Sequence, residues 1–382
     1  MFLERWDVTP NTRDEGGRTP LSWAAGAGHR DIVKMLLERG DITPNTADKY
    51  SQTPLLLAVR NGHCDIVKMF LERWDVTPNT RDEDGRTPLL WAAGIGHRDI
   101  VKMLLERGDI TPNTADKDGR TPLPWAIVKG SEDVAKMLLV REDVTPDIAD
   151  IDGRTPLMWA AVNGRKGIVK ILLERSDIVP STADKYGRTP LLWAAGSGHE
   201  GIVKMLLERK GVTPDRADND GRTPFWWAVR KGHEGVVKML LRLKDVSPDT
   251  ADKDGRTPLS WAAGSGYEGI VNSLLERGDV TPGTADKGGR TPLSWAAERG
   301  HMRVVKILQR RRKVRQDVVM TDPIGQAPLG LTSEKQHGRA PERQLGNQDL
   351  APPLAGSRSS IGCSAAVPSN SSQRSSKKAQ KF

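Results

Sequence analysis

Residues 184–217 read DKYGRTPLLWAAGSGHEGIVKMLLERKGVTPDRA, and this stretch recurs along the chain with a period of 34 residues. Each copy opens on the dipeptide Thr-Pro, which begins at Thr19, Thr53, Thr87, Thr121, Thr155, Thr189, Thr223, Thr257 and Thr291. Nine copies in register, with no insertion between them, are typical of a solenoid in which each unit packs on its neighbours. The repeat therefore decides the fold.

The unit at 184–217 predicts two antiparallel helices followed by a turn. Thr189 is a typical helix N-cap, and Pro190 fits the first helical position, where a missing N–H costs nothing. LLWAA predicts a short first helix, and HEGIVKMLLER predicts a second helix with one apolar face. The segment from Pro214 to the next Thr-Pro is rich in turn residues and predicts a protruding finger. Because one short helix pair cannot bury its apolar face alone, the units must stack.

The segment GSGHEG, residues 196–201, has the glycine spacing of a dinucleotide-binding loop. Such a loop follows a parallel strand and opens a long helix, whereas this segment follows the predicted first helix. The glycine found in all nine units is Gly28, Gly62, Gly96, Gly130, Gly164, Gly198, Gly232, Gly266 or Gly300. A sharp turn between two helices needs one residue with positive φ per unit. We therefore predict a structural corner there, with no nucleotide or other cofactor.

No other motif predicts chemistry. The segments ADNDG (217–221) and ADIDG (149–153) resemble calcium loops, but they lack the later bidentate Glu and are predicted to be finger-tip turns. Six histidines recur one per unit at the start of the second helix: His29, His63, His97, His199, His233 and His301. They are about 10 Å apart if units stack at helix-packing distance, too far for two to share a metal ion, so we expect them to cap helices or brace loops. The prediction is no catalytic residue, no metal site and no enzyme.

The stretch GRTPLLWAAGSGHEGIVKMLLER (187–209) resembles the ankyrin repeat, and the resemblance covers roughly residues 1–312. It implies an all-α ankyrin-repeat solenoid, with a helix–loop–helix and a finger turn in each 34-residue unit. The usual ankyrin period is about 33 residues, so the finger here is one residue longer. The longer finger and the first helix are most similar to ankyrin arrays of filamentous fungi. The His that follows Thr-Pro-Leu in the family is absent, and its position holds Ser22, Leu56, Leu90, Pro124, Met158, Leu192, Trp226, Ser260 and Ser294.

The period sets the predicted boundaries. A partial repeat occupies 1–13, and nine repeats occupy 14–47, 48–81, 82–115, 116–149, 150–183, 184–217, 218–251, 252–285 and 286–316. The chain opens in the register of a second helix, at the position of Met35 and Met69, so we expect a fragment of a longer protein. A basic tail rich in Ser, Pro and Gln, at 317–382, is predicted to be disordered.

The basic charge of the chain lies in its tail. Residues 309–382 hold 13 basic and 5 acidic residues, whereas residues 1–308 hold 45 basic and 44 acidic residues. We therefore expect no nucleic-acid binding by the repeat body. The cluster Arg310–Arg315 favours a solvated basic helix end, with nuclear import or phosphate binding as the alternative. The first ten residues, MFLERWDVTP, are not typical of a signal peptide. No apolar run approaches ~18 residues, and two cysteines far apart in the sequence do not predict a disulfide framework. These features predict no membrane association and a cytoplasmic location, with the nucleus as the alternative.

Tryptophan recurs at one register position, as Trp23, Trp91, Trp125, Trp159, Trp193, Trp227, Trp261 and Trp295, with Leu57 in the second repeat. An aromatic residue at helical spacing beside Ala-Ala is typical of a core, so we expect these rings between the units. An exposed ladder for bases or proline-rich peptides is the alternative. Trp226 lies one position earlier, and we expect it to be partly exposed.

An arginine column follows the finger turn, and two roles for it stay open. Each Arg could pair with an Asp of an adjacent finger, which we favour, or contact an acidic partner. The family resemblance implies that partners lie on the concave side, against finger tips and first helices. The candidate partner-binding residues are Arg86, Arg120, Ile151, Arg154, Tyr186, Arg188, Asn219, Arg222, Trp226 and Arg230.

These features together predict a monomeric, non-enzymatic scaffold that binds one or more protein partners. Affinity would come from many weak contacts along the array. One alternative is the sensor or regulatory arm of a larger signalling NTPase or kinase of the fungal type. Another is nucleic-acid association through the basic tail, which would be strongly salt-dependent.

Overall fold

The computed structural model describes residues 9–319, with side chains through residue 311, and this part holds eighteen α-helices and no strand. The first helices of the pairs are α1 (Pro20–Ala27), α3 (Pro54–Arg60), α5 (Pro88–Ile95), α7 (Pro122–Lys129), α9 (Pro156–Val162), α11 (Pro190–Gly196), α13 (Pro224–Lys231), α15 (Pro258–Ser265) and α17 (Pro292–Glu298). The second helices are α2 (Arg30–Leu37), α4 (Cys64–Leu71), α6 (Arg98–Glu106), α8 (Glu132–Leu139), α10 (Lys166–Glu174), α12 (Glu200–Leu207), α14 (Glu234–Leu241), α16 (Glu268–Glu276) and α18 (Met302–Val319). The predicted all-α solenoid is confirmed.

Each first helix starts as the sequence predicts. The Thr hydroxyl accepts the backbone N–H of the residue three positions later, for example Leu192 N–H on Thr189 at 3.3 Å. Thr121 makes no such bond, because the residue three positions later is Pro124, which has no N–H to donate. Proline occupies the first helical position throughout, so the missing N–H leaves no unpaired group.

The corner between the two helices of a unit requires glycine. Gly198 has φ 76°, and a Cβ there would lie 2.6 Å from the ring of His233 in the next unit. His233 Nε2 lies 3.0 Å from the carbonyl oxygen of Gly196, and His63, His199 and His301 make the same contact with the preceding unit. His63, His199 and His233 make no side-chain hydrogen bond that caps their own helices, so they brace the neighbouring loop instead. Burial lowers the pKa of His233, which favours the neutral imidazole.

The helices form two layers. The first helices pack in one layer and the second helices in the other, and the apolar side chains of both are buried between them. Successive first helices are in closer contact than successive second helices. Neighbouring units are therefore joined more closely through their first helices than through their second helices.

The ends of the chain lie partly outside the described residues. Residues 1–8 of the predicted partial repeat and residues 320–382 of the predicted tail lie outside the described residues. Arg310 and Arg311 lie on α18, and the side chains of the rest of the basic cluster are not described. In the described part, no helix is both long enough and apolar enough to cross a membrane.

The corner geometry gives a test with a control at the same register position. Gly198→Ala forces a left-handed alanine, which costs about 1–2 kcal/mol, and also places a Cβ against the ring of His233. Gly300 has φ 74° but nothing within 4 Å of its Cβ position, so Gly300→Ala adds the strain alone. We expect Gly198→Ala to lower the free energy of unfolding in urea more than Gly300→Ala does. Equal losses would show that the His ring does not require the glycine.

Candidate functional site

An aspartate organises each finger turn. In the unit at 184–217, Asp184 Oδ1 accepts the backbone N–H of Tyr186 at 2.9 Å and of Arg188 at 2.8 Å. The same two bonds recur in the other fingers, for example at Asp116 and Asp218. The side chain is buried, and burial raises the pKa of Asp184. One carboxylate oxygen thus holds the turn, and the other is available for a second partner.

The second oxygen accepts the indole N–H of the tryptophan nine residues later. The bonds are Trp23–Asp14 (2.8 Å), Trp91–Asp82 (2.8 Å), Trp125–Asp116 (2.8 Å), Trp193–Asp184 (3.2 Å), Trp227–Asp218 (3.1 Å), Trp261–Asp252 (3.0 Å) and Trp295–Asp286 (3.0 Å). The eighth tryptophan of the column, Trp159, makes no such bond: its Nε1 has no hydrogen-bond partner among the described residues. In that unit, Asp150 Oδ2 accepts the Nε–H of Arg154 at 2.8 Å instead. The bond fixes the finger to the first helix.

The tryptophan rings are buried to different degrees. The predicted core position is confirmed at Trp159, Trp193, Trp227 and Trp295, which are buried. The rings of Trp91, Trp125 and Trp261 are half-buried. Trp23, in the first described unit, is 53% exposed, so the prediction of a core position is wrong there. The column therefore lies at the junction of fingers and first helices, where part of it borders the surface.

Arginine side chains stack on these rings. Within a unit, the guanidinium carbon lies 4.6 Å from the ring centre in the Arg154–Trp159 pair and 4.7 Å in the Arg222–Trp227 pair. Some arginines also reach the next unit, as Arg256 does at 4.5 Å from the ring of Trp295. We name this repeated set of Asp, Trp and Arg side chains the Asp–Trp–Arg ladder. It joins the fingers to their own first helices and, in some units, to the following unit.

The structure corrects the predicted role of several arginines. Arg86, Arg120 and Arg188 are buried, so their guanidinium groups are not available for the predicted contact with a partner. Burial lowers the pKa of Arg120. The side chains of Arg154 and Arg222 are 11% exposed and each pairs with two aspartates of its own turn.

The favoured prediction of pairing with the adjacent finger holds only in part. Arg18 reaches Asp48 at 3.2 Å, and Arg256 reaches Asp286 at 3.7 Å. Most other members pair within their own turn, because the turn Asp and the Arg four residues later converge on one side of the finger. The sequence showed the signal for the ladder, since Asp, Arg and Trp recur at constant spacings of four and five residues.

Trp226 is buried, which contradicts the predicted exposure and partner contact. Its ring is 2% exposed and meets the rings of Trp227 at 5.2 Å and Trp261 at 5.4 Å, both edge to face. The same register position is buried in the described units, from Ser22 to Ser260, and only Ser294 of the last unit is exposed. That pattern of small and apolar residues was the sequence signal for a buried site.

Three predicted site residues do lie together on the surface. Ile151, Tyr186 and Asn219 occupy the tips of three consecutive fingers, and we name them the central tip surface. Ile151 is 65% exposed, Tyr186 is 44% exposed, and Asn219 is exposed. Backbone bonds hold adjacent tips together, from Ile151 N–H to Asp118 and from Asn219 N–H to Tyr186. The tips are therefore fixed in position relative to one another.

The charges near the central tip surface are largely paired. Lys185 forms an ion pair with Asp152, and Lys253 pairs with Asp220 at 2.7 Å. Ile151 stands where several other tips carry a charged residue, such as Glu83 and Lys117. Arg230, the last predicted site residue, is half-buried at the end of α13 and lies 4.0 Å from the ring centre of Trp261. Exposed apolar area and local charge neutrality thus coincide at the middle of the array.

The described side chains show no group of three or more His, Cys, Asp or Glu residues placed to hold a metal ion. Two family models match the chain. The model described as Ankyrin repeats (3 copies) matches residues 2–82, 74–150, 139–218 and 210–284, and the model described as Ankyrin repeat matches residues 288–318. A comparison with curated proteins gave no match.

The ladder predicts energetic coupling between its members. The second repeat lacks both ladder partners, with Gln52 and Leu57 at these positions, so it is a natural template for a double substitution. We expect Arg188→Gln and Trp193→Leu each to lower the free energy of unfolding, and the double variant to lose less than the sum by about 0.5–2 kcal/mol. Urea unfolding of the four proteins measures this coupling. Strictly additive losses would show that the two side chains act independently.

Proposed function

This chain belongs to the ankyrin-repeat family, and we propose that it is a scaffold that binds a protein partner without catalysing a reaction. Ankyrin repeats are generally protein–protein interaction modules. The partner lies against the finger tips and the ends of the first helices, on the side that the family resemblance implies. The central tip surface of Ile151, Tyr186 and Asn219 is its main contact.

The exposure of Ile151 supports this assignment most directly. An exposed branched apolar side chain, flanked by tips with paired charges, is a favourable site for an apolar side chain of a partner. Tyr186 adds a rigid ring with a polar end, and Asn219 adds an amide that donates to Lys185 O at 3.0 Å. The surface therefore fits a partner that presents an apolar residue surrounded by polar groups.

Rigidity of the fingers is the second feature that supports partner binding. The Asp–Trp–Arg ladder and the backbone bonds between tips fix the fingers before binding, so little conformational entropy is lost on association. The ladder arginines already bind aspartates and indole rings of the array. Acidity of the partner is therefore not required for recognition by this surface.

The two other predicted roles stay predictions. Nucleic-acid association through the tail depends on the basic residues of 309–382, and the side chains beyond residue 311 lie outside the described part. A regulatory arm of a larger NTPase or kinase depends on sequence that this chain does not contain.

The test is capture with the full chain as bait, followed by affinity measurements with the proteins identified by mass spectrometry. We expect Ile151→Glu to weaken binding at least tenfold, or about 1.4 kcal/mol, because it places a charge in the apolar contact. Tyr186→Ala should also weaken binding. The control is Lys204→Glu, an exposed substitution on α12, the second helix of the unit that carries Tyr186. Unchanged affinity in both tip variants, or equal loss in the control, would contradict the proposed surface.

A further inference from the structure

A second set of side chains links successive units at the base of the fingers. Asn11, in the partial repeat, and Asn45, Asn79 and Asn113, in the first three full repeats, occupy one register position. The Nδ2 group of each donates to the backbone carbonyl 30 residues later, at 2.5–2.7 Å. The Oδ1 atom of each accepts the backbone N–H of the threonine 32 residues later, at 2.9–3.1 Å. Each asparagine thus closes two bonds across a repeat interface.

Aspartate replaces asparagine at this position in three later repeats. Asp215 and Asp249 keep one of the two bonds, from Ser247 N–H at 3.3 Å and Thr281 N–H at 3.0 Å. The backbone N–H of Val179 donates the corresponding hydrogen bond to the carboxylate of Asp147. The other carboxylate oxygen, Oδ1, is buried in all three residues and has no hydrogen-bond partner among the described residues.

The asparagine units show what the unpartnered oxygen faces. The same offset of 30 residues leads from Asp147, Asp215 and Asp249 to the carbonyls of Asp177, Asp245 and Asp279. A carbonyl oxygen accepts but cannot donate, and an ionised carboxylate likewise only accepts. The amide hydrogen that closes the second bond in the asparagine units is therefore missing when the aspartate is ionised.

We propose that Asp147 and Asp215 are proton-binding sites, and that protonation of each closes the second inter-repeat bond. One proton from solvent binds each carboxylate, and the resulting O–H donates to the facing carbonyl. Acid then tightens two interfaces in the later repeats, while the asparagine interfaces of the first repeats are independent of pH. The interface at Asp215 joins the units of Tyr186 and Asn219, and the interface at Asp147 joins the unit of Ile151 to the unit before it.

The electrostatic surroundings favour the protonated form at both sites. Burial raises the pKa of Asp147 and of Asp215, and the carboxylate of Asp177 raises the pKa of Asp147 further. The charged groups on the loops of either side are Arg141, Glu142, Asp143, Arg175 and Asp177 at the first site, and Arg209, Lys210, Arg216, Lys244 and Asp245 at the second. Arg175 is already bonded to Asp177.

The sign of the pH dependence follows from these shifts. A carboxyl group whose pKa is higher in the folded than in the unfolded chain binds its proton more tightly when folded. Its contribution to stability is complete below the unfolded value, 3.8 for Asp, and is lost as pH rises through the folded pKa. At neutral pH the interfaces at Asp147 and Asp215 therefore lack the bond.

The test compares the full chain with the variant Asp147→Asn, Asp215→Asn. At neutral pH this variant has both amide bonds, so we expect its Tm to exceed that of the parent chain by at least ~2 °C. The difference should shrink as pH falls toward about 4, because the parent carboxyl groups become protonated. Titration of His233 occurs in both proteins and cancels in the comparison.

The reverse variant is the matched control. Asn45→Asp, Asn79→Asp, Asn113→Asp places ionised carboxylates at the same register position in the first repeats. We expect a lower Tm at neutral pH that recovers on acidification. If this variant does not fold at neutral pH, refolding on acidification supports the proposal, and the asparagine variant still tests it.

Two results would overturn the proposal. The first is a Tm difference between parent and asparagine variant that is absent, or that does not change with pH. The second is a rise in the Tm of the parent, but not of the asparagine variant, when Na⁺, Mg²⁺ or Ca²⁺ is added at neutral pH. That result would show that a cation, not a proton, lies between the two oxygens.

Discussion

The fold depends on an aspartate in each finger turn, and this aspartate is buried in most of the described units. One oxygen of its carboxylate accepts two backbone N–H groups and shapes the turn, as Asp184 does for Tyr186 and Arg188. The other oxygen accepts the indole N–H of a tryptophan on the first helix. A buried carboxylate is costly unless its lone pairs are satisfied. The hydrogen bonds that offset this cost are the same bonds that fix the finger to the helix.

The arginine column follows from the same constraint. A buried carboxylate and a large aromatic ring together provide both an opposite charge and a face on which a guanidinium stacks. The second repeat shows the dependence, because it lacks the tryptophan and also lacks the arginine, with Leu57 and Gln52 instead. There Asp48 Oδ2 accepts Arg18 Nε from the preceding unit. The turn aspartate is present in the second repeat as in the others, whereas arginine and tryptophan are absent from it together. The aspartate is therefore the shared element, and the arginine and the tryptophan depend on each other.

The ladder also shapes the surface that remains for binding. Because the array itself satisfies most arginines and turn aspartates, the exposed features of the finger tips are few and local. Ile151 and Tyr186 are among them, and the backbone bonds between tips hold them at fixed spacing. The second set of Asn and Asp residues, such as Asn113 and Asp147, lies at the same interfaces between successive units. The exposed tip residues and the side chains that link successive units are thus neighbours in the same fingers.

The sequence by itself determined the solenoid, the two helices of each unit and the corner glycines. These features depend on groups within one turn or one helix, such as the Thr189 cap, Pro190 and the left-handed Gly198. Only the tertiary structure decided that Trp226 is buried, that Arg86, Arg120 and Arg188 are unavailable to a partner, and that Ile151 and Tyr186 are exposed. The physical reason is that burial and pairing arise between residues 30 to 37 positions apart, on neighbouring units. Their side-chain geometry depends on how the units stack, which no single repeat specifies.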